Sequence, residues 1–246
     1  MTEHAPRVAV VTGGSRGIGR AVVRRLAADG FAVVVGYAGN TTEADAAVAE
    51  VTGAGGRAVA GQADVADEQA VAALFDTAER TFGGVDTVVN AAGQMRLAPV
   101  ADLDLADLDA TYRTNVRGTF VVAQQAVRRL RPGGALVLFS TSVVGRPLPG
   151  YGAYSASKGA VEALTAVLAK EVRGREITVN TVAPGPVATD LFLAGKSQEL
   201  LDRLSAEPPM GRLGTPDDIA GVVSFLAGPD GRWVHGQTLR ANGGLV

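Results

Sequence analysis

Cysteine is absent from the chain, which excludes disulfides and thiolate chemistry. Lysine is scarce: Lys158, Lys170 and Lys196 are the only three, and Arg supplies the remaining cations. Neither sign of charge is in excess, since the formal net charge is -2. That balance argues against a nucleic-acid or anionic-membrane surface. No apolar run reaches the length of a membrane span. The opening Met1–His4 leads almost directly to Val8, with no basic stretch followed by a long apolar one, so no signal peptide is expected. These absences together predict a soluble cytoplasmic protein with no metal site. No linker or charge run divides the chain, so residues 1–246 read as a single domain.

Hydrophobic residues make up 47% of the sequence and charged residues 20%, enough for a sizeable core. Short continuous apolar runs recur at Val8–Val11, Ala32–Val35, Val85–Val89, Ala135–Phe139 and Ile177–Val182. Strands buried on both faces of a parallel sheet read this way. Between them Arg20–Ala28, Glu43–Val51, Glu68–Phe82 and Leu105–Thr111 carry helical periodicity. Alternation of strand and helix predicts an α/β fold, a Rossmann-like doubly wound parallel sheet with helices on both faces. Leu191–Leu213 has no clear core pattern and contains Gly195, Lys196, Pro208 and Pro209. It reads as a substrate lid, or else as a surface excursion with one short helix.

Residues 12–19 read Thr-Gly-Gly-Ser-Arg-Gly-Ile-Gly, between the first strand and the first helix. Glycines there let the backbone approach a pyrophosphate, and the helix presents free N–H groups and a positive dipole end to it. The spacing Gly13, Gly17, Gly19 departs from the common dinucleotide fingerprint, and a purely structural turn is the alternative. An NAD site usually carries an acidic residue at the end of the second strand. Here Tyr37, Ala38, Gly39, Asn40 and Thr41 follow that strand, and the first carboxylate beyond is Glu43. Arg16 in the turn is placed to pair with a 2′-phosphate, unless it is simply a solvated surface residue. The missing acid and the available cation favour NADP(H).

Tyr154 and Lys158 stand four residues apart in a stretch of helical character, hence on one helix face. As an isolated pair they also read as a buried Tyr and an exposed Lys with no relation. Carbonyl reduction needs hydride on carbon and a proton on oxygen. A free tyrosine has a pKa of about 10, and a nearby ammonium is expected to lower it. Tyr151 is a weaker choice, because its i+4 neighbour Ser155 carries no charge.

These residues resemble the classical short-chain dehydrogenase/reductases, most of all the β-ketoacyl-acyl-carrier-protein reductases and related carbonyl reductases. The resemblance runs from Val8 to Gly244. It implies cofactor contacts at Gly13, Ser15, Arg16, Gly17, Ile18 and Gly19, then at Tyr37, Ala38, Asn40 and Thr41. Asp64 and Val65, after the third strand, are similar to the family's adenine contact. Asn90, Ala91 and Gly93 resemble its N-N-A-G segment, with Ala91 replacing the second Asn. Asn115 matches the place of its catalytic asparagine, which holds a water relaying protons to Lys158. The pattern S-x-x-G within Ser140–Gly145 selects Ser142 as the catalytic hydroxyl, with Thr141 the runner-up. The interval from Ser142 to Tyr154 is twelve residues, one short of the commonest spacing of about 13, a difference that loop reach tolerates. Pro184, Gly185, Val187 and Thr189 resemble the segment that orients the nicotinamide carboxamide.

The resulting expectation is NADPH-dependent reduction of a ketone or β-ketoacyl carbonyl, with Asn115, Ser142, Tyr154 and Lys158 as catalytic residues. Partners implied are a small-molecule carbonyl substrate, with an acyl-carrier-protein or CoA thioester as one form. Arg128, Arg129 and Arg131 read as a docking patch for the acidic carrier protein, or as cations placed at a helix C-terminus. The helix of Tyr154 is small or apolar around much of its circumference, which supports an oligomer, and the resemblance implies a homotetramer. Two alternatives are an NAD(P)-linked alcohol or sugar dehydrogenase and a non-catalytic NADP-binding regulator.

Overall fold

The apolar runs become strands because each lies between two helical layers. The computed structural model describes residues 6–246, so the signal-peptide reading of Met1–His4 lies outside the described residues. Seven parallel strands form one sheet: β1 (Val8–Thr12), β2 (Ala32–Tyr37), β3 (Arg57–Gln62), β4 (Val85–Asn90), β5 (Leu130–Phe139), β6 (Thr178–Pro184) and β7 (Thr238–Ala241). Their spatial order is β3-β2-β1-β4-β5-β6-β7. Connection runs outward from β1 to one side and from β4 to the other. The crevice between β1 and β4 is therefore the topological switch point, where open α/β sheets place ligands.

Alternate residues of each strand serve opposite cores. Val8, Val10, Val34, Val88 and Leu136 pack with Leu74 and Phe75 of α3 (Glu68–Phe82), Val122 of α5 (Gly118–Arg129) and Val161 of α6 (Gly152–Glu171). Ala9, Val11, Val33, Val89 and Val137 face the other way. They meet Val22 and Leu26 of α1 (Gly17–Ala28), Val51 of α2 (Thr41–Gly53) and Ile219 and Leu226 of α9 (Pro216–Ala227). Full burial on both faces is why the runs are continuous rather than alternating. The two short edge strands read less clearly. Only Ala58 of β3 is fully buried, and no residue of β7 is.

Beyond β4, α4 (Leu105–Tyr112) does not end where its periodicity does. It passes through a π-helical turn, Arg113–Arg117, straight into α5. Leu191–Leu213 holds most of α7 (Asp190–Leu193) and all of α8 (Gln198–Ala206), two short helices rather than one. A bridge between Val187 and Gly214 ties the start of this excursion to its end. No described helix is long and apolar enough to cross a membrane. Trp233, the one tryptophan of the chain, is 98% exposed just before β7.

Candidate active site

The glycine turn closes tightly against the end of β4. A side chain at Gly13, where φ is +64°, would put its Cβ 2.9 Å from the Ala92 backbone, and one at Gly19 would lie 2.0 Å from the Gly13 carbonyl. Only glycine fits either place. No side chain caps the first turn of α1, and no acid stands in it. Arg16 is exposed just before that turn. The first turn is thus an uncapped, positive helix end next to an exposed cation, which suits a phosphate.

At the end of β2, Tyr37 Oη and Thr41 Oγ1 lie 3.3 Å apart, and Asn40 caps α2 by accepting from Glu43 N at 3.1 Å. The Ala38 carbonyl accepts from Gln62 at 2.9 Å. Glu43 itself pairs with Arg20 at 3.0 Å. Hence no free carboxylate meets a ribose phosphate here, in keeping with the residues an NADP site needs. Asp64 is engaged by Arg113 at 2.6 Å and by Ala66 N at 2.9 Å. Burial works against its ionisation, but these two partners outweigh it and lower its pKa. Val65 sits under Gly118, where an added Cβ would approach it to 2.6 Å.

A cleft of about 190 Å³ opens at the carboxyl ends of β4, β5 and β6. Ile18, Ala91, Gly93, Ser142, Tyr154, Lys158, Pro184, Gly185, Val187 and Thr189 line it, so ten of the expected residues meet there. The glycine turn abuts the same cleft, with the Gly17 Cβ position 3.5 Å from Thr189. Tyr154 and Lys158 share the inner face of α6. Lys158 Nζ donates to the Phe139 carbonyl at 2.8 Å and lies 6.0 Å from the Tyr154 ring centre.

Asn115 is buried in the π-helical turn. Its Nδ2 donates to Gln94 O at 2.9 Å and to Ser157 Oγ at 3.0 Å, while its Oδ1 accepts from Gln94 N at 2.9 Å. A Cβ at Gly93 would stand 3.3 Å from Asn115 Oδ1 and 3.4 Å from Lys158 Nζ. Gly93 therefore keeps open the small space between these two polar groups. Asn90 does not enter the cleft. It accepts from Thr12 Oγ1 at 2.6 Å and donates to Thr119 Oγ1 at 3.0 Å, and Thr119 donates to the Asn115 carbonyl at 2.6 Å. Ala91 keeps its backbone bond to Thr12 O at 3.2 Å despite lacking the Asn side chain.

One expectation changes. Tyr154 is raised rather than lowered: burial pushes its pKa up to about 12, with Thr141 opposing and Tyr151 adding to the rise. Lys158 does not offset this, because its ammonium is itself buried and its pKa falls to about 8. Ser142 lines the cleft with Tyr154; its Oγ donates to Ala183 O at 3.3 Å and accepts from Asn242 Nδ2 at 3.0 Å. Thr141 lines the cleft beside it.

Several wall residues lie outside the expected set: Gln94, Met95, Arg146, Leu148, Tyr151, Glu207 and Leu245. Tyr151 stands edge-on to Tyr154 with ring centres 6.5 Å apart. Arg146 and Glu207 pair at 2.6 Å, joining the turn after β5 to the end of α8. Leu191, Phe192 and Leu204 reach the cleft from the 191–213 excursion. The three-arginine run is not a free basic patch. Arg129 is held by Asp76 and Glu79, each at 2.5 Å, and Arg131 by Asp86 at 2.5 Å. No cluster of metal-ligating side chains occurs among the described residues.

Residues 13–246 match the family model described as enoyl-(acyl carrier protein) reductase. An NADPH-dependent aldehyde reductase-like protein, chloroplastic, of Arabidopsis thaliana is 42% identical, over 98% of this chain and 95% of that protein. A short-chain type dehydrogenase/reductase of Picea abies is 43% identical, over 98% and 92% respectively. Among solved structures, a short-chain dehydrogenase from Burkholderia cenocepacia J2315 in complex with NADP has a TM-score of 0.91 and 41% identity, covering 97% of each chain. Sequence, sheet order and cleft agree with these matches: the chain belongs to the short-chain dehydrogenase/reductase family of oxidoreductases.

Proposed function

We propose that the protein is an NADPH-dependent reductase of small, largely apolar aldehydes and ketones, because a protonated phenol, a buried lysine and a held asparagine converge on one apolar-walled cleft. The residues fit the cofactor. Gly13–Gly19 and the start of α1 would hold its pyrophosphate, and Arg16 its 2′-phosphate. Lys158 would donate to the ribose, and Val187 and Thr189 would orient the carboxamide. Asp64 and Val65 would face the adenine. When bound, NADPH supplies the hydride to the carbonyl carbon.

The chain's own groups do the rest. A phenol with a pKa near 12 is fully protonated at neutral pH, so Tyr154 is an acid ready to protonate the carbonyl oxygen. A hydroxyl from the Thr141–Ser142 pair donates to the same oxygen as charge develops on it. Lys158 and Asn115 flank the gap at Gly93 through which a water returns a proton to the phenol. The reverse oxidation would use the same Tyr154 as its base.

The substrate class follows from the walls. Met95, Leu148, Tyr151, Leu191, Phe192 and Leu204 are apolar or aromatic, and the cation Arg146 is neutralised by Glu207. Occupation of Arg129 and Arg131 weighs against a carrier-protein docking patch and in favour of a free small molecule. Leu191–Leu213 acts as the lid of this single domain. Exposed Phe120 and Val167 on the outer faces of α5 and α6 support assembly, which we infer to be a homotetramer, in the cytoplasm.

The test is NADPH oxidation with a panel of aldehydes, aromatic ketones, β-ketoacyl thioesters and an enoyl thioester, set against the same panel with NADH. Aldehyde or ketone turnover with NADPH, lost at least 10²-fold in Tyr154→Phe, is expected. Full activity in Tyr154→Phe, or turnover of the enoyl thioester alone, would overturn the reading.

A further inference from the structure

Every salt bridge among the described residues is made by an arginine. Lys196, the lysine of the 191–213 excursion, takes different partners. It is half-buried just beyond α7, and its Nζ donates to the Phe192 carbonyl. The same ammonium lies over the Phe192 ring, 4.6 Å from its centre. Burial works against its charge and lowers its pKa; an aromatic face and a carbonyl offset part of that burial. The backbone is shaped for this return. Gly195 has a φ of +73°, a left-handed conformation suited to glycine, and Lys196 N donates to Leu193 O at 3.2 Å. The chain doubles back, so a side chain four residues beyond Phe192 reaches it.

Phe192 is a wall of the cleft. Its N–H points at Thr189, with the carbonyl at 2.9 Å and Oγ1 at 3.3 Å. Thr189 lines the same cleft beside the glycine turn. The Phe192 backbone is thus held at its N–H by Thr189 and at its carbonyl by Lys196. The ring keeps its own two torsions, and the wall is only as defined as they are. A cation over the ring face restrains them, because the attraction is to the face of the ring and falls away when it turns. Lys196 does not line the cleft, so it acts through the ring and not on a ligand.

We propose that Lys196 is a positioning residue: it sets the Phe192 ring as a fixed aromatic wall and so makes the cleft selective for carbonyl compounds that carry an aryl group. This deepens the carbonyl-reductase reading and rests on it. Aryl groups pack on other rings in defined offset or edge-on arrangements, and Tyr151 gives the cleft a second ring. A flat, rigid substrate gains from a wall already in place, since no side chain has to be immobilised on binding. A flexible alkyl chain meets the ring in many orientations and gains little. The reacting atoms are untouched by Lys196, so its effect falls on KM and not on kcat.

The test uses the full chain with NADPH, benzaldehyde and hexanal. Lys196→Met keeps the length of the side chain and removes its charge. It is expected to raise KM for benzaldehyde about fivefold, the scale of one partly exposed cation–π contact, with kcat and the hexanal KM within about twofold of wild type. A lysine near the last carbonyls of a helix also serves as a plain cap. Phe192→Leu separates the two roles, because it removes the ring and keeps the carbonyl. In that background Lys196→Met should raise the benzaldehyde KM no further. A further rise there would show a cap and overturn the assignment. Equal changes for both aldehydes, or none for benzaldehyde, would overturn it too. Wild type that reduces hexanal or other carbonyls but not benzaldehyde would overturn the aryl preference and leave the reductase reading intact. Absence of turnover with any carbonyl would sink that reading, and the assignment with it.

Discussion

Lys158 carries a cost that its chemistry explains. Burial lowers its pKa from 10.5 to about 8, which corresponds to roughly 3 kcal/mol against the charged form. Between about pH 8 and 10.5 the unfolded chain holds this proton and the folded chain has released it, so stability rises with pH across that window. Below pH 8 the full penalty remains. Lys158→Met removes the charge and keeps the length, while giving up one hydrogen bond worth about 1 kcal/mol to Phe139. The cofactor-free variant should therefore melt a few degrees above wild type at pH 7 and lose that advantage by pH 10.5, while its reductase activity disappears. Thermal midpoints at the two pH values check this, and a variant less stable at both would show that the lysine stabilises the apo fold. The pair Tyr154–Lys158 was legible in the sequence because an i,i+4 spacing is local. The direction of the Tyr154 pKa was not, since it depends on burial by residues distant in the chain. The same holds for Ser142: its partners Ala183 and Asn242 lie far down the sequence, and no spacing rule announces them.

At the scale of elements, central strands were legible and edges were not. Val8–Val11 and Val85–Val89 are buried on both sides and read as apolar runs, whereas Arg57–Gln62 and Thr238–Ala241 have partly wet faces that carry no such mark. The π-helical turn at Arg113–Arg117 has no periodicity of its own, and Asn115 was found by resemblance rather than by pattern. The pairing of Arg146 with Glu207 was equally silent, because it links two loops 61 residues apart. It fastens the end of α8 across the cleft wall. Glu207→Gln cannot form the ion pair, so α8 should be held less firmly over the substrate. KM for a neutral carbonyl is expected to rise several-fold with kcat nearly constant. The effect is modest because both side chains are about one-third exposed and partly screened. Unchanged KM would show that the pair has no part in holding the wall.

At the scale of the whole molecule, the parallel sheet makes the cleft depend on everything else. Its walls come from the ends of β4, β5 and β6 and from loops reaching as far as Leu245. A ligand bound there restrains strands from both halves of the chain. NADPH at a hundred times its Kd should raise the unfolding free energy by about 2.7 kcal/mol and move one cooperative transition as a unit. Calorimetry with and without NADPH measures this. Two transitions, only one of them moved, would divide the chain into separate domains.

Trp233 gives such measurements a built-in observer with a blind side. It lies with Gly133, Glu176 and Ile177 near the starts of β5 and β6, whereas the cleft opens at their far ends. Its light therefore reports on water, and on whatever docks at the rear of the sheet, but not on events around Tyr154. An emission change on dilution would mark chains coming apart at that surface. A silent tryptophan during titration with oxidised NADP, which does not absorb its emission, would be the expected behaviour of a filling site, not evidence of an empty one.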